Sequence, residues 1–184
     1  MSGHLDTKKY TKSSKKVLIL DLDETLVHTS SQGTKQHDFM LEVLLNTPQL
    51  YYVYKRPHLD YFLSKCLEWF HVFIFTASVP EYADPVIDFI DPGKRIKHRY
   101  YRNDCTLIEG TYTKDLESLK IDLSQVIFVD NFEGSYNKQQ ENAIPVSTWH
   151  FDSDDSELLN LLPLLDALRW VSDVRNILAL RLTK

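Results

Sequence analysis

The segment Val17-Leu18-Ile19-Leu20-Asp21-Leu22-Asp23 decides the fold, because it joins a short apolar run directly to two carboxylates. The run has the length of a strand and contains no polar residue, which is typical of a strand buried on both faces of a parallel sheet. Residues 72–75 and 126–129 repeat this pattern with the sequences VFIF and VIFV. The sequence therefore predicts an α/β fold built around a parallel sheet.

A polar residue follows each of the three apolar runs: Asp21, Thr76 and Asp130. In open α/β sheets, ligands bind beyond the carboxyl ends of the strands. Because the three ends should meet at one edge of the sheet, we expect these residues to belong to one functional site.

The segments between the runs carry helical periodicity, which predicts helices that flank the sheet. A first helix is expected from Pro57 to about residue 70. A second is expected to open with a capping box at Ser78 and to be bent or restarted at Pro85. The C-terminal part predicts a helix over residues 154–169, kinked at its proline, and then an amphipathic helix over residues 174–182.

Two segments depart from this alternation and are predicted to be short β-hairpin insertions. Residues 38–54 form the first, with a turn around residues 46–49, and residues 96–112 form the second, with a turn near Glu109-Gly110. We expect residues 1–14 to be a polar, lysine-rich arm and residues 15–184 to form a single domain.

Composition excludes several classes of protein. The net charge of −5 does not favour binding to nucleic acid, and no apolar run is long enough to predict a membrane span. Two cysteines cannot build a disulfide framework, and no Cys/His spacing is typical of a zinc site. The seven histidines predict no ligand set, and we expect His28 and His58 to fix local loops. The two observations on cysteine favour a reducing, intracellular compartment, and we expect a monomer.

Asp21 and Asp23 carry the sharpest chemical signal in the sequence. One carboxylate could attack an electrophile while the other exchanges a proton with the leaving group, as in covalent catalysis through an aspartyl phosphate. The second role requires a raised pKa, which a neighbouring charge or burial would supply. From the spacing alone, a solvated turn or a calcium loop remains an alternative, although the residues that follow do not match a calcium-binding hand.

The chain resembles the haloacid-dehalogenase-type phosphatases that act on the C-terminal tail of RNA polymerase II, the NLI-interacting-factor-like family. The resemblance covers roughly Lys15 to the C-terminus. It is carried by Asp21-Leu22-Asp23-Glu24-Thr25-Leu26-Val27-His28, Lys55-Arg56-Pro57-His58, Phe75-Thr76-Ala77-Ser78, Tyr82-Ala83-Asp84-Pro85, Tyr112-Thr113-Lys114-Asp115-Leu116, Asp130-Asn131 and Asn142-Ala143-Ile144-Pro145-Val146.

This resemblance implies a catalytic set and a metal ion. Asp21 would be the nucleophile and Asp23 the general acid and later base, while Thr76 and Lys114 would bind phosphoryl oxygens. Mg²⁺ would be held by the Asp21 carboxylate, the Asp23 backbone carbonyl and the Asn131 side chain. The residues alone do not decide between Asp130 and Asn131 as the ligand; the family places Asn131 there, with Asp130 supporting Lys114 or the metal. Taken singly, Thr76 could instead cap a helix, and Lys114 could be a surface lysine paired with Asp115.

The implied substrate is a phosphorylated protein, above all the polymerase tail, which predicts a nuclear or nucleocytoplasmic enzyme. Thr25, Tyr82 and Arg102 would contact the substrate, and Arg102 belongs to a group of five cations over residues 94–102 that could capture a phosphopeptide or simply be solvated. The loops at residues 29–39 and 132–140 differ from the family pattern. The alternatives are a phosphatase of another phosphoprotein and a non-catalytic import or binding module of the same fold.

Overall fold

A computed structural model describes residues 15–34, 36–44 and 47–181 of the 184-residue chain. The predicted polar arm, residues 1–14, and the end of the predicted last helix lie outside these residues. Ten strands are described: β1 (Val17–Leu20), β2 (Val27–Ser30), β3 (Phe39–Leu44), β4 (Pro48–Lys55), β5 (His71–Phe75), β6 (His98–Tyr100), β7 (Thr106–Ile108), β8 (Thr111–Thr113), β9 (Val126–Asp130) and β10 (Ala143–Pro145).

The same residues contain five α-helices and five short 3₁₀ helices. The α-helices are α1 (Leu59–Trp69), α2 (Pro80–Ile90), α3 (Glu133–Tyr136), α4 (Glu157–Leu168) and α5 (Arg175–Leu178). The 3₁₀ helices are Arg102–Asp104, Leu116–Leu119, Leu123–Gln125, Gln140–Asn142 and Ala179–Arg181. Within the described part of the chain, no helix combines the length and the apolar character needed to cross a membrane.

A five-stranded parallel sheet forms the centre of the fold, with the strand order β10-β9-β1-β5-β6. β1 lies between β5 and β9, and all four of its residues are buried. Leu18 and Leu20 pack into the apolar cluster that contains residues of α1, α2 and α4. Val17 and Ile19 point into a second cluster on the opposite face. The predicted parallel sheet, buried on both faces, is confirmed.

A second, antiparallel sheet has the order β2-β4-β3. β3 and β4 pair from Phe39↔Val53 to Leu44↔Pro48, which confirms the predicted hairpin over residues 38–54; residues 45–46 of its turn are not described. The prediction missed β2, whose sequence Val-His-Thr-Ser lacks an apolar run. Pairing with β4 forms this strand, so it depends on tertiary context.

The segment over residues 96–112 is only in part the predicted insertion. β7 and β8 form the expected hairpin, and Glu109 and Gly110 in its turn have φ angles of 49° and 82°. β6, however, pairs in parallel with β5 and extends the central sheet, so the prediction is wrong for that strand. Its three half-buried residues give no buried-strand pattern in the sequence.

Two predicted helix starts also differ from the structure. α1 begins at Leu59, after His58 in a left-handed conformation with φ 66°, so Pro57 lies before the first helical turn. The capping box expected at Ser78 is not formed: Val79 is the N-cap and Pro80 opens α2, which continues through Pro85 without restarting.

Arg56 joins three segments around the end of β4. Its side chain is fully buried, and its guanidinium forms a bidentate salt bridge with Asp155, with both N–O distances at 2.8 Å. It also donates to the backbone carbonyl oxygens of Thr25 and Ser147, at 3.2 and 3.0 Å. Arg56 therefore ties the loop after β1 to the segment that leads into α4.

We expect Arg56→Met to lower the free energy of unfolding by about 3–5 kcal/mol, because it leaves Asp155 and the backbone carbonyls of Thr25 and Ser147 without their donor. Urea denaturation measures the difference. Lys65→Gln is the matched control, since Lys65 pairs with Glu68 at the surface and such pairs contribute about 0–1 kcal/mol. A similar small loss in both variants would contradict the anchoring role of Arg56.

Candidate active site

A cavity of about 720 Å³ opens at the carboxyl ends of β1, β5 and β9. Asp21, Thr76 and Asp130, the residues that end or follow these strands, are buried and line it together. The structure thus brings the three strand ends to one site, as their positions in the sequence predict. The wall also contains the other predicted residues Asp23, Tyr82, Arg102, Lys114 and Asn131.

A tight turn after β1 places the first two carboxylates. The Asp21 amide donates to the carbonyl of Val129 at 2.9 Å, which continues the pairing of β1 with β9. Glu24 then adopts a left-handed conformation with φ 58°, and its amide donates to the carbonyl of Val27 at 2.7 Å. A positive φ is uncommon for a residue with a side chain, and this turn holds it with backbone hydrogen bonds.

Lys114 is fully buried and lies between two aspartates. Its Nζ donates to Asp21 Oδ1 at 2.5 Å and to Asp130 Oδ2 at 2.6 Å. Burial lowers the pKa of Lys114, but the two carboxylates outweigh that effect and raise it above its ordinary value. Lys114 is therefore a permanent cation of the pocket, not the surface lysine that the sequence left as an alternative.

Asp23 has a different environment from Asp21. Its carboxylate accepts hydrogen bonds from Tyr82 Oη at 2.5 Å, Ser78 Oγ at 2.7 Å and Thr76 Oγ1 at 3.3 Å. Burial, and then the charge of Asp21, raise the pKa of Asp23 to about 6, although the Tyr82 and Ser78 hydroxyls act in the opposite direction. Asp23 can therefore exchange a proton near neutral pH.

Thr25 and Asn131 form the third part of the site. Thr25 is completely buried, and its hydroxyl donates to Asn131 Oδ1 at 3.2 Å. The Asn131 amide nitrogen donates to Thr148 Oγ1 at 3.0 Å, so the two contacts fix which end of the amide faces the loop. The sequence predicts that Thr25 contacts the substrate, and this placement differs from that expectation. The Thr25 side chain is buried behind Asn131, and its hydroxyl orients the Asn131 amide.

The wall of the pocket suits a divalent cation with oxygen ligands. It carries four carboxylates, Asp21, Asp23, Glu24 and Asp130, against two cations, Lys114 and Arg102. Burial, with the nearby Asp21, raises the pKa of Asp130 to about 6 even though Lys114 opposes the shift. The pocket is thus short of positive charge, and carboxylate and amide oxygens are the ligands that Mg²⁺ prefers.

Arg102 lies at the exposed rim of this pocket. Its Nε donates to the carbonyl of Ala77 at 2.7 Å, and its guanidinium lies 5.2 Å from the centre of the Tyr112 ring. The cation group over residues 94–102 does not act as one surface. Arg99 pairs with Asp84 and Asp88 of α2, while Lys94 pairs with Asp88 and Arg95 with Asp91.

Ser78 belongs to the site although the sequence does not predict it there. The sequence predicts a helix cap for its hydroxyl, which instead faces Asp23, and its amide donates to Thr76 Oγ1 at 3.0 Å. A serine three residues after the end of β5 is compatible with both roles, so no pattern in the sequence separates them. The two contacts with Thr76 and Asp23 follow only from the fold.

The chain is similar in sequence to known phosphatases and to a nuclear envelope protein. The family model of the NLI interacting factor-like phosphatases matches residues 16–175. "Nuclear envelope morphology protein 1" of Schizosaccharomyces pombe is 48% identical over 178 residues, covering 95% of this chain and 37% of that protein. "CTD nuclear envelope phosphatase 1B" of Danio rerio is 45% identical, covering 90% of this chain and 71% of its own length.

A solved structure supports the same fold. The fission yeast RNA polymerase II CTD phosphatase Fcp1 superimposes with a TM-score of 0.67 at 22% identity, covering 88% of this chain and 52% of that one. This likeness confirms the expected α/β fold around a parallel sheet, and the family model and the relatives confirm a domain of the phosphoprotein phosphatase class. The match over residues 16–175 shows that the chain belongs to the NLI interacting factor-like phosphatase family.

Proposed function

We propose that this chain hydrolyses phosphoserine and phosphothreonine in proteins, in a Mg²⁺-dependent reaction through a phosphoryl group carried on Asp21. The observation that carries the proposal is the separation of two neighbouring carboxylates into different environments. Asp21 is paired with Lys114, whereas Asp23 is surrounded by hydroxyl groups and has a pKa of about 6. A nucleophile and a general acid need such different surroundings.

In this reaction an Asp21 oxygen attacks phosphorus, and the bond from phosphorus to the serine or threonine oxygen breaks. Asp23 gives its proton to that leaving oxygen. The same carboxylate, now without its proton, removes a proton from the water that releases phosphate from Asp21. Atoms balance over the two steps: one water is consumed, and one alcohol and one inorganic phosphate are formed.

Lys114 and Thr76 would support the transferring phosphoryl group. Lys114 lies against Asp21, where its ammonium offsets negative charge that builds up on the phosphoryl oxygens. Thr76 directly follows β5 and lines the same pocket, where its hydroxyl lies within hydrogen-bond distance of Asp23. Asp130 holds Lys114 from the other side, which is a positioning role.

The proposed ligands of Mg²⁺ are the Asp21 carboxylate, the Asp23 backbone carbonyl and the Asn131 side chain. When bound, the ion would neutralise phosphate charge and orient the phosphoryl group. The excess of carboxylates in the pocket supports this assignment. Thr25 and Thr148 are then the residues that orient Asn131.

We propose a phosphorylated, extended peptide as substrate, and the RNA polymerase II tail as its first candidate. The open cavity of about 720 Å³ and the exposed Arg102 at its rim suit a peptide better than an enclosed small metabolite. The Danio rerio relative is named a CTD phosphatase. The names of this relative and of the Schizosaccharomyces pombe relative both include the words nuclear envelope, which favours a nuclear site of action for this chain. A phosphoprotein of the nuclear envelope is therefore the second candidate.

A phosphopeptide panel tests the proposed reaction. We expect phosphate release from phosphoserine and phosphothreonine peptides with Mg²⁺ and none after chelation by EDTA. Asp21→Asn should lower turnover by more than about 10⁴-fold, as the loss of a nucleophile does elsewhere. Its unfolding midpoint serves as the control for folding. Appreciable turnover by this variant would contradict the role of Asp21, and a preference for non-tail peptides would favour the second substrate candidate.

The role of Asp23 predicts a dependence on the leaving group. Asp23→Asn should slow a phosphoserine peptide by about 10²–10⁴-fold, because a serine alkoxide needs a proton as it leaves. An aryl phosphate has a better leaving group and should lose much less in the step that forms the phosphorylated enzyme. Single-turnover rates for both substrates measure the difference, and equal losses would exclude general acid catalysis by Asp23.

The position of Arg102 predicts an effect on selectivity. Arg102→Ala should lower kcat/KM for a phosphopeptide about ten- to hundred-fold, mainly through KM, since a charge-assisted contact contributes about 1.5–3 kcal/mol. A small aryl phosphate should be nearly unaffected. Lys94→Gln, from the same cation group but outside the pocket, is the matched control. Parallel losses on both substrates would place Arg102 among the groups that act on phosphorus.

A further inference from the structure

Three side chains outside the proposed magnesium ligands converge beside the pocket: Glu24, His28 and His150. Within the described residues, they form a group whose ligand atoms all lie within 4.8 Å of one another. His28 Nδ1 lies 3.1 Å from Glu24 Oε1 and 3.4 Å from His150 Nδ1. The sequence predicts no such set, because His28 and His150 are 122 residues apart in the chain.

We propose that Glu24, His28 and His150 form a binding site for a zinc-type transition-metal ion. A tetrahedral Zn²⁺ has Zn–N and Zn–O distances of about 2.0–2.2 Å, which separates neighbouring ligand atoms by about 3.4 Å. The His28–His150 separation of 3.4 Å equals one edge of such a tetrahedron, and the His28–Glu24 separation of 3.1 Å is shorter than that edge by about 0.3 Å. The fourth position would remain for water.

The facing imidazole nitrogens support this assignment chemically. Two unprotonated Nδ1 atoms at 3.4 Å repel each other through their lone pairs unless a proton or a metal ion lies between them. Burial, and then the nearby His150, lower the pKa of His28, which favours the neutral form that binds metals. Two imidazoles with one carboxylate suit Zn²⁺, whereas Mg²⁺ prefers oxygen ligands alone.

The backbone already holds the three ligands in place. The amide of Trp149, next to His150, donates to the carbonyl of Glu24 at 2.9 Å. The strained φ of 58° at Glu24 is part of the same turn. The His28 ring packs edge-to-face against Phe151, with ring centres 4.6 Å apart. A site built from fixed segments loses little ordering entropy when the ion binds.

This inference does not depend on the proposed reaction, since the site shares no residue with the magnesium ligands. Titration of the full chain with Zn²⁺ in excess Mg²⁺, followed by calorimetry, tests it. We expect one bound Zn²⁺ that Mg²⁺ does not displace. His150→Phe and Glu24→Gln should each weaken binding at least tenfold, by analogy with the roughly 10–100-fold losses seen when groups behind metal ligands are removed.

Co²⁺ as a spectroscopic probe gives an independent readout. A four-coordinate imidazole site gives intense visible absorption, whereas Co²⁺ among oxygen ligands gives weak bands. We expect the intense bands in the wild type and in His37→Gln, a control at a histidine outside the cluster, and their loss in both ligand variants. Circular dichroism verifies folding, and two variants keep the test decisive if one misfolds. Unchanged Zn²⁺ affinity and an unchanged Co²⁺ spectrum in a folded ligand variant would overturn the proposal.

Discussion

The buried ammonium of Lys114, held between Asp21 and Asp130, is the interaction on which the rest of the site depends. A charge that is withdrawn from water is stable only when partners surround it closely. Lys114 follows β8, Asp21 follows β1 and Asp130 ends β9, so the ion triad exists only when the hairpin and the central sheet are both assembled. The site therefore forms only when the fold itself has formed.

The triad also explains how two carboxylates separated by a single residue differ in chemistry. Asp21 faces the ammonium, whereas Asp23 faces the hydroxyls of Tyr82, Ser78 and Thr76. The charge of Asp21 then raises the pKa of its neighbour. Two groups of the same type therefore have different surroundings, which is the condition under which a pair of carboxylates can take different roles in a reaction.

The sequence was informative where one segment determines its own environment. The runs VLIL, VFIF and VIFV in β1, β5 and β9 are apolar because both faces of each strand are covered, so their length and unbroken apolar character indicate the strands and the polar residues that follow them. The family resemblance then predicted Lys114 and Asn131, which no local pattern marks.

Features that arise from contacts between distant segments could not be predicted. β2 and β6 are short and half polar, and they become strands only because β4 and β5 offer free edges. Ser78 does not cap a helix as its position predicts; its hydroxyl donates to the carboxylate of Asp23, 55 residues earlier in the chain. Glu24, His28 and His150 meet because the turn after β1 is tied to the loop before α4.

The central claim is that the phosphoryl group passes through Asp21, and trapping that state tests it most directly. A ³²P-labelled phosphopeptide is mixed with the enzyme and Mg²⁺, quenched in acid within the first turnover, and the protein is digested. We predict transient label on the peptide that contains Asp21, released by hydroxylamine as an acyl phosphate is, and no label in Asp21→Asn. Turnover without any protein-bound label, at quench times that resolve the first cycle, would contradict the account.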